Sequence, residues 1–484
     1  MKEHYRVAVL GAGFSGLCVG ANLKRRGHHD FAIFEKADAV GGTWRENTYP
    51  GVACDVPSHL YSLSFDLNPD WTREYSSGQE IQAYIERAAV KFGLRPHLRF
   101  RSEVVSLRWE SERWQVALKS GETVSANVVV AGLGGLHVPK HPEIPGLDVF
   151  PGKVMHSAEW DHAHDFRGSR VAVIGTGSSA VQLIPELRRL ADRLFVFQRT
   201  PAWVLPRFDR EIGSTARARY RNIPGYMHLA RWARCLIREI WGALYVRRGR
   251  AHDFFEAQAR RAMERRIADP ELRAKLIPDY ALGCKRPCIS DDYLEALQQD
   301  NVELVTEEIE RIEGNTIHTR DGACIPVDSI VAATGFRPFD ITTYVDIRGV
   351  DGASLAETWA QRVEAHRTMM VPSFPNFYLM LGPNSGLGHN SVLHMIEAQT
   401  RYVLAALRHM DRNGVRVLDP RPEAFHRFNN RLQDAMKRVV FGGGCNAWYT
   451  DEHDHNFTLW PGSIWSYWLS LSRLDATEFK PPGL

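Results

Sequence analysis

Two stretches of the chain repeat one pattern of apolar and polar positions. Val7-Ala-Val-Leu10 and Val171-Ala-Val-Ile174 are short continuous apolar runs, each entered by an arginine and ended by a glycine. Their length suits buried strands rather than helices. The glycines open two similar loops, Gly11-Ala-Gly13-Phe-Ser-Gly16 and Gly175-Thr-Gly177-Ser-Ser-Ala180. After the first loop, Ser15 to Arg26 reads as a helix with Leu17, Val19, Ala21 and Leu23 available for packing. Further apolar runs follow, Phe31-Ala-Ile-Phe34 and Leu194-Phe-Val-Phe197. Strand, glycine turn, helix and strand make the opening of a dinucleotide-binding unit, in which the helix N-terminus takes a pyrophosphate. The pattern therefore predicts an α/β chain with two Rossmann-like dinucleotide-binding domains and a helical insertion.

The insertion spans residues 211–280. Trp232, Leu236, Ile240 and Leu244 recur near every fourth position, Phe254 and Phe255 follow, and arginine is frequent. One apolar stripe and a basic opposite face are expected, with the stripe packed on a cofactor domain and the arginines solvated. Weak contact with a membrane surface is the alternative. The remaining divisions are the first part of one dinucleotide-binding domain at 1–150, a second such domain in two parts at 151–210 and 281–326, and the second part of the first domain with pocket loops at 327–484.

What ends each second strand separates the two sites. Phe34 is followed by Glu35, an acid about 20 residues past the glycines, placed to accept ribose hydroxyls. Phe197 is followed by Gln198, Arg199 and Thr200, with no acid. A carboxylate there would repel a ribose 2′-phosphate, whereas Arg199 can pair with it. The first site thus suits FAD and the second NADPH; a solvated surface role for Arg199 is the alternative.

Composition narrows the setting. With 60 basic and 57 acidic residues among 484, the formal charge of +3 gives no whole-chain argument for nucleic acid or membrane. The run Val7–Leu10 is broken at once by Gly11, so a nucleotide-binding strand and turn is expected there rather than a signal peptide, and no apolar stretch approaches a membrane span. Seven cysteines form no disulfide framework, so a reducing, cytoplasmic location is expected. Cys284 and Cys288 flank Arg286 at a spacing that argues against a redox pair. Neither His156, His162, His164 with Asp165, nor Asp451 to His455, has metal-site spacing. No metal is expected.

Other motifs carry a family resemblance. Gly41, Gly42, Trp44, Tyr49, Pro50, Gly51 and Asp55 match the long fingerprint of the flavin-dependent Baeyer–Villiger monooxygenases. Phe150, Gly152, His156, Trp160 and Asp161 match the short one. Gln198-Arg-Thr-Pro201, Lys285-Arg286, Ala333-Thr-Gly-Phe336 and Gly382-Pro383 extend the match, with looser similarity to Trp460-Pro-Gly462. One departure is Ala131-Gly-Leu-Gly134, where the family often has Ala-Thr-Gly. The resemblance implies FAD and NADPH as cofactors, with a ketone and dioxygen as substrates. An ester or lactone would form through a flavin peroxide stabilised by Arg286, and oxidised NADP would be retained during the oxygen chemistry. It pairs Arg286 with Asp55 as the catalytic residues. Gly11, Gly13, Ser15, Gly16, Glu35, Gly42, Thr43, Trp44 and Asp55 would hold FAD; Gly175, Gly177, Ser178, Ser179, Arg199, Thr200 and Lys285 would hold NADPH. Lys285 should face away from its neighbour, since adjacent residues on an extended segment point to opposite sides. Pro151 and Gly152 argue for a loop around His156 and Trp160, which are expected to couple the two domains. His389 is either a pocket residue or a buried structural one. The alternatives are a flavin monooxygenase that oxidises nitrogen or sulfur, and a reductase or sensor that inserts no oxygen. Neither the ketone nor the oligomeric state is legible.

Overall fold

The structure, a computed structural model, describes residues 3–337, 341–442, 447, 449–451 and 455–481. Its larger sheet has eight strands. In order these are Asp346–Arg348, Val104–Glu110, Arg113–Leu118, Thr123–Ala131, His4–Leu10, Phe31–Phe34 and Leu98–Arg99, with Phe377–Leu379 also paired to Thr123–Ala131. His4–Leu10 runs parallel to both neighbours, and Val7 to Leu10 are buried. The helix Phe14–Arg25 follows the first glycine loop and packs against the long helix Val392–Asn413.

The second sheet has five strands, Val302–Val305, Arg193–Phe197, Arg170–Ile174, Ser329–Ala332 and Lys153–His156, all parallel. Parallel strands covered on both faces need apolar side chains throughout, which is why Val171-Ala-Val-Ile174 reads as a continuous run. The α/β class with two dinucleotide units agrees with the sequence pattern.

Three expectations are corrected. Ser329–Ala332, assigned above to the FAD segment beginning at 327, lies inside the second sheet between Arg170–Ile174 and Lys153–His156. A short apolar strand fits either sheet, and nothing local encodes which one it joins. The expected loop around His156 begins with a strand, Lys153–His156, in register with Ser329–Ala332. Pro151 and Gly152 shape the turn before that edge strand rather than the segment after it.

The third correction concerns the insertion. It is helical, with Ser214–Asn222, Tyr226–Val246, Arg250–Arg266 and Pro270–Leu276, but its main helix is turned around. Arg231, Cys235, Glu239, Gly242 and Val246 are buried, whereas Trp232, Leu236 and Ile240 of the apolar stripe are exposed. Arg231 donates to the carbonyls of His59, Leu60 and Ser62 at 3.0, 3.1 and 2.8 Å. Arg234 grips both oxygens of Glu74 at 2.6 and 2.9 Å. Periodicity locates a helix face but does not say which face meets the protein; here fixed polar partners on the 59–76 segment decide it.

Candidate active site

The first glycine loop is packed so closely that a side chain could not enter. A Cβ on Gly16 would stand 1.9 Å from the Gly11 carbonyl oxygen. Glu35 is buried at the end of its strand, and its carboxylate accepts from the amides of Ala12 at 2.8 Å and Ala37 at 3.0 Å. The acid is thereby fixed beside the loop. Gly42 lies against Gly13 and leads into the short helix Thr43–Glu46, where Trp44 donates from Nε1 to the Tyr61 hydroxyl at 3.1 Å. Ser15 is buried in the same turn. At the departure, Ala131-Gly132, a Cβ on Gly132 would lie 3.1 Å from the Leu10 carbonyl oxygen and from Ser15 Cβ.

The helices Phe14–Arg25 and Ser178–Leu187 start from Gly13 and Gly177, and neither has a side-chain cap. Their first amides are left for an outside acceptor, which fits two pyrophosphates. Gly175, Gly177, Ser178 and Ser179 form the second turn, and Thr176 Oγ1 donates to the Thr200 carbonyl at 2.9 Å. Arg199 is exposed beside it. Lys285 is held 5.0 Å from the centre of the Tyr280 ring. Burial, and then the charge of Arg199, lower the pKa of Lys285. Two cations that feel each other's charge fit a doubly charged phosphate.

The two sheets meet through the 49–56 segment. Gln182, on the helix after the second loop, accepts from the Tyr49 hydroxyl at 3.1 Å and the Ala53 amide at 3.2 Å, and donates to the Ala53 carbonyl at 3.0 Å. A Cβ on Gly51 would come within 2.5 Å of the Gln182 carbonyl oxygen, so only glycine lets the segment lie this close. The contact delivers Asp55. Arg286 approaches from the other side, on a segment anchored by the Cys288 amide to the Trp203 carbonyl at 2.8 Å. Its Nε and Nη2 both donate to Asp55 Oδ2, at 3.0 and 2.6 Å, and Nη1 donates to the Leu387 carbonyl at 3.2 Å. Asp55 holds the guanidinium pKa above its ordinary value against the opposing effect of burial. Leu387 belongs to a loop zipped to a later segment by Asn384 N–Phe457 O, Gly386 N–Thr458 O and Trp460 N–Gly386 O bonds.

Remaining candidates have other roles. His156 is buried, accepts from the Ala158 amide at 3.1 Å and meets Phe336 edge to face. Burial, with His141 nearby, lowers its pKa to about 4. Phe336 lies in the 335–337 connection, which pairs with 138–140 through Lys140 N–Gly335 O and Arg337 N–Val138 O bonds. Trp160 stacks on Phe166. His389 is structural: it pairs with Glu239 at 3.0 Å and is almost wholly buried. Cys284 is disulfide-bonded, against the expectation of reduced cysteines, but Cys288 is free, so the two do not form a pair. Among the described residues no three His, Cys, Asp or Glu side chains gather to hold a metal.

Sequence reasoning missed Gln182, Leu387, Glu239 and Tyr245, whose hydroxyl donates to the Gly388 carbonyl at 2.9 Å. Gln182 reads as an ordinary helix residue, and Leu387 acts through its backbone, so neither carried a signal. Glu239, a lone acid in an arginine-rich helix, was the one visible clue.

Two dinucleotide cradles meeting at one arginine form the layout of an oxidoreductase that passes electrons between two nucleotides. Residues 4–348 match the flavin-binding monooxygenase-like family. A Baeyer–Villiger monooxygenase of Streptomyces coelicolor is 47% identical over 484 aligned residues, covering 99% of this chain and 93% of the relative. Among solved structures, an oxidised steroid monooxygenase bound to NADP has 30% identity and a TM-score of 0.87, covering 97% of each chain. OTEMO in complex with FAD and NADP has 26% identity and a TM-score of 0.87, covering 99% of this chain and 100% of its own. The chain belongs to the flavin-binding monooxygenase-like family, in its Baeyer–Villiger branch.

Proposed function

We infer that the chain is an FAD- and NADPH-dependent monooxygenase that converts a ketone, dioxygen and NADPH into an ester or lactone, water and NADP. The observation that carries this reading is Arg286, held by Asp55 where the two units meet. Bound FAD, once reduced, supplies the oxygen activation that no side chain can provide. The chain supplies binding and charge. Gly11, Gly13, Ser15, Gly16, Glu35, Gly42, Thr43 and Trp44 are the proposed FAD residues. Gly175, Gly177, Ser178, Ser179, Arg199, Thr200 and Lys285 are those proposed for NADPH. In the proposed division, the eight-stranded sheet serves FAD and the five-stranded sheet NADPH.

Addition of an oxygen nucleophile to a carbonyl builds negative charge, and a fixed cation lowers that barrier. A guanidinium has five N–H donors. Arg286 uses Nε and one donor on Nη2 for Asp55, and one on Nη1 for Leu387. One donor on each terminal nitrogen is left for the developing oxyanion. Because arginine stays charged, it stabilises the anion without readily protonating it.

Relatives named for Baeyer–Villiger oxidation do not favour the heteroatom-oxidising and reductase alternatives. No helix among the described residues is long and apolar enough to cross a membrane. A cytoplasmic location is part of the proposal: free thiols at Cys18, Cys54, Cys235, Cys288 and Cys324 support it, and the Cys284 disulfide stands against it. The test is turnover under isotopically labelled dioxygen with cyclic, linear, aromatic and steroid-like ketones. Esters carrying one labelled oxygen are expected. Oxidation of amines or sulfides alone, with every ketone untouched, would overturn the reading.

A further inference from the structure

The helix Tyr226–Val246 presents its apolar side to solvent. Leu229, Trp232, Leu236, Ile237, Ile240 and Trp241 are between 37% and 60% exposed. They fall on one side of the helix, opposite Arg231, Cys235, Glu239, Gly242 and Val246, which face the protein. Ile223 and Phe254 on adjoining segments are also exposed, as are Trp465 and Leu469 on the helix Ile464–Ser470, whose first amide donates to Glu239 at 3.1 Å. A face of this size is unusual on a soluble chain and marks a contact surface.

Charge identifies the occupant. Residues 213–250 contain nine arginines, no lysine and one acid, Glu239. That acid is buried against His389 and Asn390. Arg231 and Arg234 point inward, but Arg219, Arg247 and Arg250 are exposed near the two ends of the apolar face. A second copy of the chain is a poor fit, because a two-fold contact would set the arginines at one end of the face against those at the other end in the partner. An anionic lipid surface fits both features. Apolar side chains enter the boundary between headgroups and acyl chains, tryptophans sit at the interface, and arginines meet phosphates.

We propose that this helix docks the enzyme on an anionic membrane surface, lying in its plane. The inner side of the same helix carries Tyr245 and Glu239, which hold Gly388 and His389 beside the Leu387 carbonyl that receives Arg286. The membrane is then about one helix diameter, ~10 Å, from the loop that positions the catalytic arginine.

Co-sedimentation of the full-length holoenzyme with vesicles tests the proposal. Phosphatidylcholine vesicles are compared with vesicles that also contain phosphatidylglycerol, at low and high salt. Binding to the mixed vesicles at low salt, weakened by high salt, is expected. The triple variant Trp232→Ser, Ile237→Ser, Ile240→Ser should lose binding while keeping wild-type thermal unfolding and NADPH oxidation with a water-soluble ketone. The variant Arg219→Gln, Arg247→Gln, Arg250→Gln should bind mixed vesicles roughly 100-fold more weakly. Three results would each overturn the proposal: no binding by wild type, undiminished binding by the serine variant, or a wild-type dimer without lipid affinity that this variant converts to monomer.

Discussion

Arg286 commits three of its N–H groups to Asp55 and Leu387, so its plane is set before any substrate arrives. Replacing Asp55 by alanine should leave the arginine in place chemically but unaimed, lowering kcat far more than it raises the KM for NADPH. Steady-state kinetics read that split. Lys285 and Arg199 make the opposite prediction. Each loses a charge-assisted bond worth ~1.5–3 kcal/mol when changed to alanine. The KM for NADPH should rise roughly 10- to 100-fold, with NADH turnover unchanged. Equal effects on both nucleotides would remove the 2′-phosphate assignment. Legibility also divides at this scale. The pairing of Arg286 with Asp55 was legible through the family resemblance, and the structure shows the two in contact. Gln182 and the Leu387 carbonyl were not legible, because an uncharged helix residue and a backbone atom look the same whatever they touch.

Close approach of backbone and side chains, besides apolar packing, holds the elements around the site together. Gly242 illustrates this: a Cβ there would stand 2.3 Å from the His389 ring. The change Gly242→Ala should push the insertion helix off the 387–390 loop and cost ~1–3 kcal/mol of stability, read as a lower Tm. Activity should fall with it, since Leu387 loses its support. An unchanged Tm would mean that the loop tolerates the displacement and does not depend on this helix. The insertion also marks where pattern reasoning stopped. Spacing near four correctly predicted a helix over this region, but burial of Arg231 and Glu239 depends on carbonyls, a histidine and an asparagine far away in sequence. Strand membership failed for the same reason at Ser329–Ala332, whose neighbours lie at 153–156 and 170–174.

Across the molecule, acid sensitivity is built in by buried and half-buried imidazoles. Burial lowers His59, His137 and His156 to about 4, and His394 to about 3, from an ordinary value of 6.5. Between pH 6.5 and about 4 the unfolded chain binds protons that the native one refuses, so stability falls as pH is lowered through that window. Tm should drop progressively from pH 7 to pH 5; a flat profile would mean that these imidazoles protonate without unfolding the chain. The two-sheet plan itself was legible, because each glycine loop is a local signal tied to the strand before it and the helix after it. The way the sheets join, through 49–56 and Gln182, was not. If this junction aims Arg286 at oxygen insertion, the ratio of ester formed to NADPH consumed will show it. Wild type should give nearly one ester per NADPH. Arg286→Ala should still oxidise NADPH but release hydrogen peroxide and no ester. Ester formation by Arg286→Ala at the wild-type ratio would contradict the account.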